Sequence, residues 1–342
     1  MSIRRAALMV CAALAMAVTG AAPAPAADTL VGLSLDRPID GAAAPFFVPL
    51  DHGWYRAAGV NVSVMPGKDM LEPITRVAAG QSEMALADLN ELIKYRDTHP
   101  KAPIKAVFML YNRPAYAIIA RKSRGITTPK DLEGKRLGTP PGDPAGAQWP
   151  VFAKLNKIDT AKVKIESISK PIREPMLASG QIDAVTGQSY SVFIDLKGKG
   201  VPMDDIDVMA MADHGLVLYG QAIIVNTDFA AKHPDAVKGF LGAFLRGLKV
   251  SIASPAKAVD SVLMRDEALN KTLERERLAM VVANDFVTPE VKANGFGVIN
   301  GARFARSLDQ LALGYTFKSS RPKLVDVFDP SYLPPAKARV FR

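Results

Sequence analysis

Only one of the 342 residues is a cysteine, Cys11, and only four are histidines. Cys11 lies in the first 27 residues, so a chain processed after them holds no thiol. Disulfides, iron–sulfur clusters and thiolate zinc sites are thereby excluded. His52, His99, His214 and His233 are scattered, with no i, i+4 pair of the kind that binds a metal from one helix face. Neither a metal nor a cofactor is expected. No segment interleaves aromatics with clustered Lys and Arg, which argues against nucleic acid as a partner. No dinucleotide fingerprint is present. Gly187-Gln188-Ser189-Tyr190-Ser191 begins like a nucleophile elbow but carries Ser where the second glycine belongs, and no ordered acid and histidine follow. Asp213-His214 reads as a loop, not as half of a dyad. No catalytic residue is assigned, and the chain is expected not to be an enzyme.

Long hydrophobic runs are equally scarce. Ala6–Val18 is the leading apolar stretch, shorter than the roughly 20 residues needed to span a bilayer. It follows Arg4 and Arg5 and precedes Ala24-Pro25-Ala26, the order of a secretory signal peptide cleaved near Ala26 or Ala27. Residues flanking the arginines depart from the twin-arginine pattern, so the Sec route and a periplasmic destination are expected. Leu8-Met9-Val10 before Cys11 do not make a lipidation site. Without Arg4 and Arg5 the chain has 41 basic against 34 acidic residues, an excess spread over a solvated surface.

What remains, about 315 residues, exceeds what one core usually supports and predicts two lobes. Short apolar strands alternate with helical patterns. Leu30–Leu35, Val60–Met65, Met84–Ala87 and Ile104–Leu110 read as strands separated by helices, and Gly59 and Gly80 sit where helix-ending glycines belong. Lys135–Thr139, Val163–Ile168, Ile182–Thr186 and Val208–Met211 repeat the pattern. This alternation predicts parallel α/β sheets. Tyr116–Ala120 and Leu216–Val225 are apolar stretches placed to cross between lobes. After Asn226 the chain reads as helical (Phe229–Ile252, Pro255–Met264, Leu273–Asn284, Thr288–Gly295 and Phe304–Phe317), ending in a proline-bearing tail. The expected division is 1–27 signal peptide, 28–115 first lobe, 116–221 second lobe, and 222–342 returning to the first lobe. Two crossings then form a hinge beside a cleft.

The most telling segment is DLEGKRLGTPPGDPAGAQWPV, residues 131–151. A polar turn, a short strand, a Pro/Gly loop and an apolar helix follow in order. Such a junction leaves free backbone N–H groups that can hold a small solute. Together with PFFVPLDHGWYRAAGVNVSV (45–64), AAGQSEMALAD (78–88), LASGQIDAVTG (177–187) and HPDAVKGFLGAFLRGL (233–248), it resembles the periplasmic substrate-binding proteins of ABC importers, in the nitrate, sulfonate, taurine and thiamine-pyrimidine-precursor group. The resemblance covers nearly all of the chain after the leader. It implies a two-lobed type II periplasmic-binding-protein fold, a monomer, a ligand between the lobes, and an inner-membrane ABC permease as partner. A related eukaryotic fold makes the thiamine pyrimidine with iron and a cysteine-rich segment, which this chain lacks.

Against that family's pattern, the helix-start loop here is Gly142-Asp143-Pro144-Ala145-Gly146, in place of a Ser/Thr-rich one. Prolines remove N–H donors, and Asp143 would face an anion. Two like charges about 4 Å apart repel by ~1 kcal/mol in water and by more in a dry cleft. A neutral or partly cationic ligand, such as an aminopyrimidine-like heterocycle, fits better. A sulfonate or nitrate binder, an enzyme on the same fold acting on a pyrimidine-like substrate, and a protein-binding scaffold stay open. Candidate contacts in the first lobe are Phe46, whose alternative is the core, Asp88 or its alternative as a helix cap, and Asn90. Arg113 and Tyr116 lie at the first crossing, where Arg113 would pair with a ligand acid group or with Asp88. In the second lobe the candidates are Gly142, Asp143 (otherwise a helix cap), Trp149 (otherwise lobe packing), Gln188, Ser189 (otherwise a cap) and Tyr190. Tyr219 would close the cleft from the second crossing.

Overall fold

Residues 28–341 are described by a computed structural model; the leader expected over residues 1–27 lies outside them. Ten strands form two five-stranded sheets. The first contains β1 (Thr29–Ser34), β2 (Val60–Met65), β3 (Met84–Asp88), β4 (Ile104–Met109) and β10 (Gln221–Asn226), in the order β2-β1-β3-β10-β4. The second contains β5 (Tyr116–Arg121), β6 (Arg136–Thr139), β7 (Lys164–Ser167), β8 (Ala184–Gln188) and β9 (Ile206–Ala210), in the order β7-β6-β8-β5-β9. Both sheets are mixed, not parallel as the alternation suggested. The strands β5 and β10, which arrive from the opposite sheet, run antiparallel to both of their neighbours. A strand delivered by a crossing has no preceding helix in its own sheet to return it to the parallel sense.

These two strands are apolar on both faces because both faces are covered. In β5, Tyr116, Ile118 and Ala120 join one buried cluster while Ala117 and Ile119 join another. In β10, Ala222 and Ile224 face the cluster shared with β5, and Ile223 and Val225 face the helices of the first lobe. The period-two alternation thus places one continuous apolar core across both sheets. The crossings, Leu110–Ala115 and Met211–Gly220, are tied together where the Leu110 and Tyr111 amides donate to the Gln221 carbonyl (3.1 and 2.9 Å).

Helix boundaries follow the local chemistry. Gly59, Gly80 and Gly180 end their helices at φ +74°, +70° and +77°, where a Cβ would be strained. The helix expected over Phe229–Ile252 is two, Thr227–Lys232 and Pro234–Ala253. Pro234 drives His233 out of the helical region (φ −131°, ψ 54°). The helix Lys271–Val281 passes into a π-turn over Val282–Phe286 instead of continuing to Asn284, and the helix Gly301–Leu311 stops short of Phe317. Of the stretch Leu216–Val225, only the part from Gln221 is strand. Backbone groups of Val217 and Leu218 are satisfied instead by the Arg303 guanidinium (3.0 and 2.9 Å) and by Gln310 Oε1 (2.7 Å). The proline-bearing tail folds into short helical turns at Pro330–Tyr332 and Ala336–Arg339.

Phe244, on the long helix Pro234–Ala253, anchors the first lobe. Its ring lies 4.7 Å from Phe46 and 5.4 Å, edge-on, from Phe108 of β4. Phe244→Ala should therefore destabilise the protein by about 3–5 kcal/mol in urea unfolding; a loss below ~1 kcal/mol would show that this cluster does not hold the lobe together.

Candidate functional site

Between the two sheets lies a cleft of about 610 Å³, a volume suited to one small organic molecule. Its walls carry five cationic and six acidic side chains, a balance unlike that of a plain anion cup. Among its lining residues is Arg37, in the loop that follows β1. The guanidinium is nearly buried and is held by Asp36 (Nε to Oδ1 2.8 Å). It reaches across to the second lobe, donating to Gln188 Oε1 (3.3 Å) and to the Tyr190 hydroxyl, and its Cζ lies 5.6 Å from the Tyr111 ring centroid. Burial opposes its charge, but Asp36 and the surrounding tyrosines outweigh burial and raise its pKa further.

Other charges are paired in the same way. Arg173 is held by Glu174 in the helix Lys170–Ser179 (2.5 Å). Arg277 is gripped by Glu274 (2.9 Å) and donates across the cleft to Asp195 (2.8 Å). Glu274 also accepts from the Gly41 amide (2.6 Å). Burial raises the Asp40 pKa, with Arg277 and Arg37 opposing. Lys170 Nζ donates to the Lys68 carbonyl (3.2 Å) in the first lobe. Gly142, at φ +70°, comes so near Asp69 that a Cβ would lie 2.9 Å from that residue's own, so only glycine allows this approach.

The structure sorts the residues singled out from sequence into three groups. Gly142, Asp143 and Gln188 line the cleft, and Tyr190 touches it through Arg37. Asp143 is also a helix cap, Oδ2 accepting from the Gly146 amide at 2.8 Å. Ser189 opens the helix Ser189–Gly198, its amide donating to the Ala115 carbonyl (2.8 Å).

A second group comes together in the hinge. Asp88 accepts from the Tyr116 hydroxyl and from the amides of Asn90 (2.9 Å) and Glu91 (3.2 Å). Asn90 Nδ2 donates to the Tyr219 carbonyl at 2.7 Å. This buried knot joins β3, β5 and the second crossing. Burial raises the Asp88 pKa to about 6, helped by Glu91 and opposed by the Tyr116 hydrogen bond.

A third group lies elsewhere. Phe46 is core, against Phe244, because the helix Ala44–Asp51 packs on the helix Pro234–Ala253. Trp149 packs near Phe152 inside the second lobe. Arg113 pairs with neither Asp88 nor the cleft but with exposed Asp213 at 2.8 Å. The Tyr219 hydroxyl donates to Glu290 (2.9 Å) under the Arg303 guanidinium.

Sequence reasoning passed over Asp36, Arg37, Arg173, Glu174, Glu274 and Arg277. One signal was available: Asp36-Arg37-Pro38 directly follows the apolar β1, at the strand end where α/β sheets bind ligands. Glu274 and Arg277, by contrast, read as an ordinary i, i+3 surface pair.

Two mixed sheets of order 2-1-3-n-4, joined by two crossings around a charged cleft, define the periplasmic-binding-protein fold. The sequence profile described as NMT1/THI5 like matches residues 41–258, and the chain belongs to that family. It is 27% identical over 295 residues to the riboflavin-binding protein RibY of Chloroflexus aurantiacus, across 84% of this chain and 82% of that protein. It is 22% identical over 241 residues to the 4-amino-5-hydroxymethyl-2-methylpyrimidine phosphate synthase of Schizosaccharomyces pombe, across 68% of each. The fold matches the periplasmic aliphatic sulphonate binding protein SsuA of Escherichia coli with a TM-score of 0.67, at 11% identity over 92% of each chain.

Two outcomes check the electrostatics. Because the folded pKa of Asp88 lies above its unfolded value, the native state keeps a proton that the unfolded chain has lost, and this group's contribution falls as pH rises from about 4 to 6. The two-unit shift is worth at most about 3 kcal/mol. Asp88→Asn, which still caps the helix, should flatten that slope in urea titrations, and an unchanged slope would refute the assignment. Arg37→Gln strands Asp36 and should cost about 3 kcal/mol of stability, with a larger radius of gyration by X-ray scattering.

Proposed function

We propose that this chain is an exported receptor that captures a small nitrogen heterocycle in its cleft and delivers it unchanged to an ABC permease of the inner membrane. The carrying observation is the cleft itself: two hinged lobes meet across it, and its walls present paired donors and acceptors. Family membership and fold support the receptor role. The names of the two relatives, one riboflavin-binding and one acting in pyrimidine synthesis, support a flat heterocycle as ligand. The six acidic side chains in the cleft count against a sulfonate or nitrate, as does Asp143 at the helix start. The signal peptide expected over residues 1–27 supports a periplasmic location, and the receptor would act as a monomer. Lobe closure alters the outer surface, which is the feature a permease would read. An enzyme on the same scaffold would consume its ligand. Here the polar cleft residues are mostly committed to one another: among the described residues that line the cleft, the Ser191 hydroxyl donates to Asp195 at 3.5 Å, a carboxylate already held by Arg277.

Calorimetry with riboflavin, 4-amino-5-hydroxymethyl-2-methylpyrimidine and taurine is expected to give a 1:1 complex with one of the heterocycles. Mass spectrometry after long incubation should recover that compound intact. Binding of taurine alone would favour the sulfonate reading, and a converted heterocycle would make the protein an enzyme.

A further inference from the structure

Flat heterocycles stack well on aromatic side chains, yet among the described residues that line the cleft none is aromatic. Three prolines, two leucines and Met70 supply the larger apolar side chains there. The leucines are committed elsewhere. Leu269 packs on the core of the first lobe, and Leu273 presses on Gly198 of the second, where an added Cβ would lie 2.9 Å from its Cδ1. Met70 is half-buried and joins none of the apolar clusters formed by the described residues. It is the long apolar side chain of the cleft wall that the core does not use.

Its loop is held from both lobes. Gly67 lies so close to the Leu35 carbonyl that no Cβ would fit, and its amide donates to the Arg37 carbonyl (3.0 Å). Asp69 Oδ1 accepts from the amides of Leu71 and Glu72 (both 2.9 Å), and Glu72 Oε2 accepts from the Lys68 amide (2.8 Å). These bonds tie the loop to the segment after β1 and to the helix Glu72–Ala78. On its other side Lys170 donates to the Lys68 carbonyl and Asp69 abuts Gly142. The two residues before Met70 thus touch the second lobe, and Met70 stands on a bridge between the cleft walls.

Resting on the reading of the cleft as a heterocycle receptor, we infer that Met70 covers one face of the bound ring and selects a flat, conjugated ligand. A thioether is polarisable and its side chain unbranched, so it settles against aromatic rings and adapts to rings of different outline. The polar groups of the cleft are left to meet the ring edge, where heterocycles carry their donors and acceptors. An aliphatic sulfonate has no such face to offer, and its charge would meet the acids of the wall.

The test measures calorimetric binding of riboflavin and of 4-amino-5-hydroxymethyl-2-methylpyrimidine to the full chain, to Met70→Ala and to Met70→Leu, with thermal unfolding of each. Alanine removes the covering atoms, whereas leucine conserves the volume. For the heterocycle that the parent binds, affinity is expected to fall about tenfold in Met70→Ala at an unchanged melting temperature, and to stay within about threefold in Met70→Leu. A second measurement uses peroxide, which converts methionine to its sulfoxide. Bound heterocycle should slow oxidation of Met70 in peptide mass spectra while exposed Met203 and Met264 react as before. Parent-like binding by Met70→Ala overturns the inference, and so does an equal loss in Met70→Leu or a loss that comes with a fall in melting temperature. Oxidation of Met70 at one rate with and without ligand overturns it too. In all of these the parent still binds, and the receptor reading stands. If the parent binds neither compound, the heterocycle reading falls and takes this assignment with it.

Discussion

The molecule turns on a carboxyl group at the end of β3. Asp88 lies where two chain crossings pass between the sheets, and it accepts from the Tyr116 hydroxyl of the first crossing strand while Asn90 beside it grips the Tyr219 carbonyl of the second. Buried polar groups must find partners or be costly. Here the partners come from both lobes, so satisfying one acid fixes where the lobes are joined. Asp88 also caps the helix that starts at Leu89, which couples the hinge to the first lobe's frame. Beneath it, β5 and β10 share an apolar core that runs through both sheets.

On the cleft side the same constraint acts on charge. Arg37, Arg173 and Arg277 are each nearly buried and each paired with a neighbouring acid. Breaking a buried pair costs more than forming it contributes, so these pairs serve to position groups in the cleft more than to add net stability. Two of the three arginines also reach the opposite lobe, Arg37 through Gln188 and Tyr190 and Arg277 through Asp195. These cross-cleft contacts are polar, so water can replace them if the lobes part, as it could not in a dry apolar seam.

Much of the architecture was legible in the chain. Strand positions were readable because β1, β2, β3 and β4 are short apolar runs ended by turn residues, and Gly59, Gly80 and Gly180 mark helix ends by a conformation only glycine adopts cheaply. The direction of β5 and β10 was not readable, since an apolar run carries no information about which sheet it enters or from which side. Of the candidate contacts, Gly142, Asp143 and Gln188 reached the cleft wall because a strand end followed by a helix start has few other places to go. Asp88 and Asn90 were expected as contacts on the first lobe's side of the cleft, and Tyr116 and Tyr219 at the crossings; the structure instead brings Asp88, Asn90, the Tyr116 hydroxyl and the Tyr219 carbonyl together in the hinge. Phe46 and Trp149 were ambiguous for a simple reason: an aromatic ring packs equally well on a core or on a flat solute.

By itself the sequence determined the two-lobed α/β plan, the order of its elements and the family motifs that run through residues 45–248. These depend on local chemistry: hydrophobic period, helix caps, and the backbone freedom of glycine and proline. Which side chains meet in the cleft was decided only by tertiary structure. Arg37 and Tyr190 are 153 positions apart, and Glu274 and Gly41 are 233 apart. No local pattern records such a meeting, because a charge beside a strand looks the same in sequence whether it ends in solvent or is buried against a partner from the other lobe.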